Sequence, residues 1–93
     1  MPCWRLASER ACYPLPDDVS WDAGVLLTGD GLGVPYHTSE KVASPDIRTV
    51  AVFGVGPIGL GHVLLQSHLG RRVIAVDIVP ERLERARQLG AAE

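Results

Sequence analysis

The sequence Thr49-Val-Ala-Val-Phe-Gly-Val-Gly-Pro-Ile-Gly-Leu, residues 49–60, decides the fold of this chain. Its first five residues form an almost wholly apolar run, which predicts a strand in a parallel sheet with both faces covered. The next six residues, Gly54 to Gly59, have the spacing Gly-x-Gly-x-x-Gly and predict a tight turn. From Ile58 to Leu69, apolar side chains recur at steps of three and four residues, which predicts a helix that Gly70 ends.

The residues after this helix repeat the same order of elements. Arg72-Val-Ile-Ala-Val predicts a second apolar strand, closed by Asp77, and Pro80 suits the first turn of a second helix. The apolar positions of this helix predict its buried stripe: Leu83, Ala86 and Leu89. Strand, helix, strand and helix in this order predict an α/β fold, a partial Rossmann unit with parallel strands and a right-handed crossover.

The first part of the chain predicts a helical segment ahead of this unit. Residues 1–12 lack any clear periodicity and predict a tail. Ser20 has the character of a helix N-cap, and the apolar run to Thr28 is compatible with a helix. The sequence Gly-Asp-Gly-Leu-Gly at residues 29–33 is expected to interrupt it, and a second helical stretch is expected from Val34 to Val42.

Composition and charge narrow the class of protein. Hydrophobic residues make up 46% of the 93 residues and charged residues 22%, which is typical of an ordered globular chain. The net charge of −2 argues against nucleic acid or an anionic membrane as the main partner, since both require a basic face. Met1 to Glu9 has no signal-peptide pattern, and no stretch reaches the roughly 18 apolar residues of a membrane span. Cys3 and Cys12 form no C-x-x-C pair, so a reducing, cytoplasmic location is expected.

The glycine-rich turn carries the chemistry of a dinucleotide site. Gly54 permits the sharp turn out of the strand, Gly56 lets a pyrophosphate approach the backbone, and Gly59 lets the helix pack closely on the strand. Pro57 has no N–H to contribute, but Ile58 and its successors present theirs at the positive end of a helix. The turn therefore predicts a pyrophosphate-binding site.

Asp77 stands where such a site requires an acid. It lies 21 residues after Gly56, at the end of the second strand. A carboxylate at this place accepts hydrogen bonds from the adenosine ribose hydroxyls and repels a 2′-phosphate, which favours NAD over NADP. The alternatives are a glycine-rich loop made only for packing, or a flavin or S-adenosylmethionine site built on a similar turn.

Several stretches together resemble the medium-chain zinc-type alcohol dehydrogenase/reductase family. They are Val50–Leu60, Val73–Asp77 and Glu81–Ala91, and the upstream stretches Tyr13–Ser20 and Leu27–Tyr36 resemble the link between that family's catalytic and cofactor domains. The resemblance implies an oxidoreductase that uses NAD, and usually a catalytic zinc, to oxidise a small-molecule alcohol or polyol. It also implies that residues 1–45 are the end of a catalytic domain with its helical linker. Residues 46–93 would then be the N-terminal half of an NAD-binding domain.

The resemblance assigns roles to single residues. It places the pyrophosphate turn at Gly54, Gly56, Pro57, Ile58 and Gly59, and the ribose-binding acid at Asp77. Arg82 matches a basic position that touches the ribose in several members, although a solvated helix charge is an equal alternative.

Asp30 matches the position of a third catalytic-zinc ligand, a cysteine in many relatives and an acid in others. The alternative is that Asp30 only turns the backbone between two glycines. The relatives supply the two further zinc ligands from an upstream domain. By spacing, His37, His62 and His68 form no metal cluster, and Trp4 and Trp21 are expected to be packing residues.

The chain on its own is not expected to catalyse a reaction. Hydride transfer requires the nicotinamide half of the site and a substrate pocket, which other segments of the parent enzyme would build. The parent enzyme is also compatible with a homo-oligomer. Three interpretations follow: a fragment of an NAD-dependent dehydrogenase, a non-catalytic nucleotide-binding module, or a truncated inactive remnant.

Overall fold

The computed structural model describes residues 4–93, so Cys3 lies outside the described residues. After a short 3-10 helix at Glu9–Ala11 come helices α1 (Trp21–Thr28) and α2 (Asp30–Lys41), strand β1 (Thr49–Phe53), helix α3 (Pro57–His68), strand β2 (Arg72–Val76) and helix α4 (Pro80–Gln88). None of the helices within residues 4–93 combines the length and the apolar character that crossing a membrane requires.

The two strands form a parallel sheet with α3 as the crossover between them. Thr49 lies opposite Arg72, and Phe53 lies opposite Val76. The backbone of Ala92 and Glu93 continues alongside β2, because the Ala92 N–H donates to the Val73 carbonyl at 2.8 Å. The predicted α/β class and the βαβα order of a partial Rossmann unit are confirmed, and both strands have the predicted bounds.

The core lies between one face of the sheet and helices α3 and α4. Its buried residues are Val52, Val55, Val63, Val73 and Ala86. Leu83 and Leu89 pack against this cluster and are partly buried, which confirms the predicted stripe of α4.

The other face of the sheet does not follow the prediction. Two covered faces were expected, but Phe53 is 78% exposed and Val76 is also exposed. The reason is the placement of the helical segment: α2 packs on α3 and α1 packs on α2, so neither covers this face. Within residues 4–93, the sheet is therefore covered on one face only.

The predicted break between α1 and α2 is shorter than expected. Only Gly29 leaves the helical conformation, and α2 begins at Asp30 rather than at Val34. The acid in the first turn suits the helix dipole, and α2 packs closely on α3 at Gly31. A Cβ on Gly61 would overlap the carbonyl oxygen of Gly31. This carbonyl lacks its usual partner within α2, because Pro35, four residues later, has no N–H.

The predicted start of α1 and the predicted end of α3 are confirmed, whereas the prediction for the two tryptophans is not. The Ser20 side chain accepts a hydrogen bond from the Ala23 N–H at 3.2 Å, which confirms the predicted N-cap. Gly70 has a positive φ of 78° after α3, as its predicted role as the helix stop requires. The prediction that Trp4 and Trp21 are packing residues is wrong: Trp21 is 83% exposed and Trp4 is more exposed still.

Candidate functional site

Two glycines of the turn after β1 are required by the fold. Gly54 has a φ of 82°, a conformation that residues with a side chain rarely adopt. Its N–H donates to the Val76 carbonyl at 2.8 Å, which ties the start of the turn to the end of β2. A Cβ on Gly59 would overlap the Gly54 carbonyl oxygen, so α3 can approach the turn only because residue 59 has no side chain.

Gly56 differs from both, because neither its backbone nor its packing requires glycine. Its φ of −70° and ψ of −165° are extended values open to other residues. Apart from its two chain neighbours, a Cβ on Gly56 would meet no atom of the described residues within 4 Å. The missing side chain therefore leaves open space beside the start of α3.

The start of α3 offers unclaimed backbone donors to that space. Pro57 is the first residue of the helix, and no side chain caps it at Gly56. The N–H groups of the first helical turn have no carbonyl partner within the helix, and those of Ile58 and Gly59 belong to this turn. Together with the positive end of the helix dipole they suit an anion.

A shallow cavity of about 280 Å³ lies between the turn and α4. Its lining residues are Val55, Gly56, Pro57, Leu60, Glu81, Arg82 and Arg85. Gly56, Pro57 and Arg82, predicted as site residues, thus share one cavity, whereas Gly54, Ile58, Gly59 and Asp77 do not line it. Sequence reasoning missed Arg85, although a spacing of three residues from Arg82 on a helix places both on one face.

Asp77 is almost completely enclosed, with a side-chain exposure of 4%. One carboxylate oxygen accepts the Val79 N–H at 2.9 Å, and the other accepts the Val55 N–H at 2.8 Å. The hydrogen bonds from Val79 and Val55 lower the pKa of Asp77 below its ordinary value, against the opposing effect of burial, and the charge of Arg82 lowers it further. Asp77 is therefore ionised at neutral pH.

Arg82 combines the two alternatives that the sequence left open. Its guanidinium Nη1 lies 3.8 Å from Oδ2 of Asp77, and its side chain is about half exposed. It also lines the cavity. Arg82 is thus a solvated helix charge that faces the cavity and the acid at the same time.

Asp30 lies exposed at the first position of α2. Across residues 4–93, no group of three or more His, Cys, Asp or Glu side chains comes close enough together to hold a metal ion. The donor set around Asp30 therefore does not fit a zinc ion by itself, and its position equally suits an acid at the positive end of a helix. The pKa of His62 on α3 is lowered by burial, which favours its neutral form.

Similarity to known proteins gives this geometry a family context. The chain is 35% identical over 91 residues to the uncharacterized zinc-type alcohol dehydrogenase-like protein YphC of Escherichia coli, a match that covers 97% of this chain and 26% of that protein. It is 36% identical over 85 residues to sorbitol dehydrogenase of Gallus gallus, covering 90% of this chain and 23% of that protein. No family model matches the chain.

A solved structure agrees with these relatives. Alcohol dehydrogenase TADH from Thermus sp. ATN1 superposes with a TM-score of 0.75 at 37% identity, covering 83% of this chain. The chain is a homologue of zinc-type alcohol dehydrogenase-like proteins. It spans about a quarter of the length of these homologues, 26% of YphC and 23% of TADH. The similarity therefore confirms the resemblance to this family and concerns one segment of its members.

Proposed function

We propose that this chain binds the adenosine diphosphate part of NAD and serves as the N-terminal half of a cofactor-binding domain in an alcohol or polyol dehydrogenase-like oxidoreductase. Residues 46–93 would form this half-domain, and residues 1–45 the end of a catalytic domain with its linker. The observation that carries the proposal is Gly56, a glycine that the fold does not require, beside an uncapped helix start and a cavity with two arginines.

The pyrophosphate is proposed to lie over Gly56. A negatively charged group there would accept hydrogen bonds from the N–H groups of Ile58 and Gly59 and would face the positive end of α3. Gly54 and Gly59 support this arrangement by shaping the turn, and Pro57 fixes the first helical residue. Arg82 and Arg85 add positive charge on the α4 side of the cavity.

The adenosine ribose is proposed to meet Asp77 and Arg82. Each carboxylate oxygen has two lone pairs, and the backbone N–H groups of Val55 and Val79 engage one on each oxygen. A lone pair on each oxygen therefore stays available to a ribose hydroxyl. An ionised Asp77 opposes the added negative charge of a 2′-phosphate, which favours NAD over NADP.

In a longer parent enzyme the proposed substrate is a small alcohol or polyol, as the name of the homologous sorbitol dehydrogenase suggests. The bound nicotinamide would accept a hydride from the substrate carbinol. The donors in residues 4–93 do not complete a zinc site around Asp30, so a catalytic zinc would need ligands from another segment.

Isothermal titration calorimetry on the 93-residue chain tests this proposal with three ligands: NAD, NADP and ADP. Binding of NAD with a clear preference over NADP is expected, because the added 2′-phosphate meets Asp77. ADP is expected to keep most of the affinity, because the proposed contacts all lie in the adenosine diphosphate part. Absence of heat with all three ligands, for a chain whose circular dichroism spectrum shows it folded, would refute nucleotide binding.

A further inference from the structure

The carboxylate of Asp77 joins two parts of the backbone that are distant in sequence. Asp77 and Val55 are 22 residues apart along the chain, and their hydrogen bond connects the loop after β2 to the glycine-rich turn after β1. The second bond, to the Val79 N–H, holds the loop of Asp77 itself. Asp77 therefore stands between the two loops that follow the parallel strands.

The residue that receives this bond is anchored in the core. Val55 is fully buried and lies between Gly54 and Gly56. The Gly54 N–H already donates to the Val76 carbonyl, so two successive N–H groups of the turn are held by two successive residues at the end of β2, Val76 and Asp77. The second of these contacts depends on a side chain and can be removed by substitution.

The enclosure of Asp77 also favours a role beyond contact with a ligand. This side chain is 4% exposed, and each of its two oxygens accepts a backbone N–H without any ligand. A buried backbone N–H is costly to leave without an acceptor, so the loss of the carboxylate would disturb the turn itself.

We propose that Asp77 is a positioning residue for the glycine-rich turn: by accepting the Val55 N–H, it holds Gly56 and the start of α3 in the arrangement that receives a pyrophosphate. That the turn receives a pyrophosphate rests on the proposed nucleotide function, whereas the role of Asp77 in holding the turn does not. Asp77 would thus contribute to binding of the phosphates, which it does not touch, as well as of the ribose.

Amide hydrogen exchange in the ligand-free chain tests the effect on the turn. Asp77→Asn replaces one acceptor oxygen by an NH₂ group, which cannot accept from a backbone N–H. Exchange at Val55 or Val79 is expected to accelerate by roughly tenfold or more, the size expected when a hydrogen bond to a charged group is lost. Glu81→Gln is the matched control, because it removes an acid that lines the cavity, four residues after Asp77, and leaves Asp77 in place. Unchanged exchange at both amides in folded Asp77→Asn would overturn the proposal.

A titration of the unsubstituted chain covers the case in which Asp77→Asn does not fold. The amide chemical shifts of Val55 and Val79 are expected to change together as the Asp77 carboxyl is protonated, at a pH below about 3.9, the ordinary Asp value. The lowered pKa of Asp77 supports this expectation. If only the Val79 amide responds, the link to the turn is refuted.

Inorganic pyrophosphate separates positioning from ribose contact, since it has no ribose. If Asp77 only contacts the ribose, Asp77→Asn leaves the affinity for pyrophosphate unchanged or raises it, because the substitution removes a negative charge. Glu81→Gln removes one negative charge as well and is expected to have the same effect. If Asp77 positions the turn, Asp77→Asn lowers the affinity by about tenfold. Absence of pyrophosphate binding to the unsubstituted chain would count against the proposed nucleotide function, while the exchange experiment would still decide the role of Asp77 in the turn.

Discussion

The chain has two halves that are stabilised in different ways: the helical segment of α1 and α2, residues 21–41, and the βαβα unit from β1 to α4, residues 49–88. From β1 to α4, the chain builds a core of its own, with Val52, Val55 and Val63 among its buried residues. In α1 and α2 most of the large apolar side chains remain at the surface, and Val25 is 70% exposed, whereas Leu32 and Pro35 of α2 are at least partly buried. The helical segment is therefore held by the contact of α2 with α3 rather than by a core between its own helices. Its order depends on the half that carries the glycine-rich turn.

The largest expected effect compares one substitution in the two halves. Val63→Ala, in the core, is expected to lower the free energy of unfolding by about 2 kcal/mol, because it removes buried apolar surface and leaves a cavity. Val25→Ala, in α1, is expected to change it by less than about 0.5 kcal/mol. Both are valine-to-alanine changes within a helix, so differences in helix propensity largely cancel, and urea denaturation measures both. Equal effects would contradict the difference between the halves.

A second prediction concerns the contact that joins the halves. Gly61→Ala places a methyl group against the Gly31 carbonyl and is expected to destabilise the docking of α2 by about 1–3 kcal/mol. Gly33→Ala is the control, because a Cβ there meets nothing within 4 Å. Amide exchange is expected to accelerate in α1 and α2 more than in β1 and β2. An equal acceleration throughout would mean that the halves unfold as one unit.

The smallest of the stability effects depends on pH. Because the pKa of folded Asp77 lies below its ordinary value, the ionised carboxylate stabilises the fold above about pH 4, and this contribution is lost as the pH falls through the folded pKa. Thermal melting between pH 6 and pH 2 is expected to show a steeper acid decline for the unsubstituted chain than for Asp77→Asn. Parallel curves would show that this carboxylate does not stabilise the fold through its charge.

Sequence patterns predicted the half with its own core better than the half without one. The bounds of β1 and β2 and the stripe around Ala86 follow from local periodicity, and Gly54 and Gly59 from a spacing with a physical reason for each glycine. The start of α2 at Asp30 could not be predicted in this way, because the helix there depends on its packing against Gly61. The exposed face of the sheet escaped prediction for a similar reason, since an apolar strand does not show what covers it.

In the candidate site, the sequence predicted which residue types are present but not how they contact each other. The spacing singled out Gly56 and Asp77, whereas the hydrogen bond between Asp77 and Val55 joins residues 22 positions apart and has no local signal. Arg85 was recoverable from helical spacing, because it follows Arg82 by one turn. A sequence does not show which backbone N–H donates to a side chain, since every residue except proline has a backbone N–H.

The most direct test of the central claim is NAD binding to Gly56→Ala, measured by calorimetry beside Gly33→Ala and the unsubstituted chain. Outside its immediate backbone neighbourhood, neither added methyl group meets an atom within 4 Å, so both variants are expected to fold. The proposed function predicts that Gly56→Ala weakens NAD binding by about tenfold or more, because its methyl group occupies the space of the pyrophosphate, and that Gly33→Ala leaves it unchanged. Equal affinity for NAD in all three chains would contradict a pyrophosphate site at this turn.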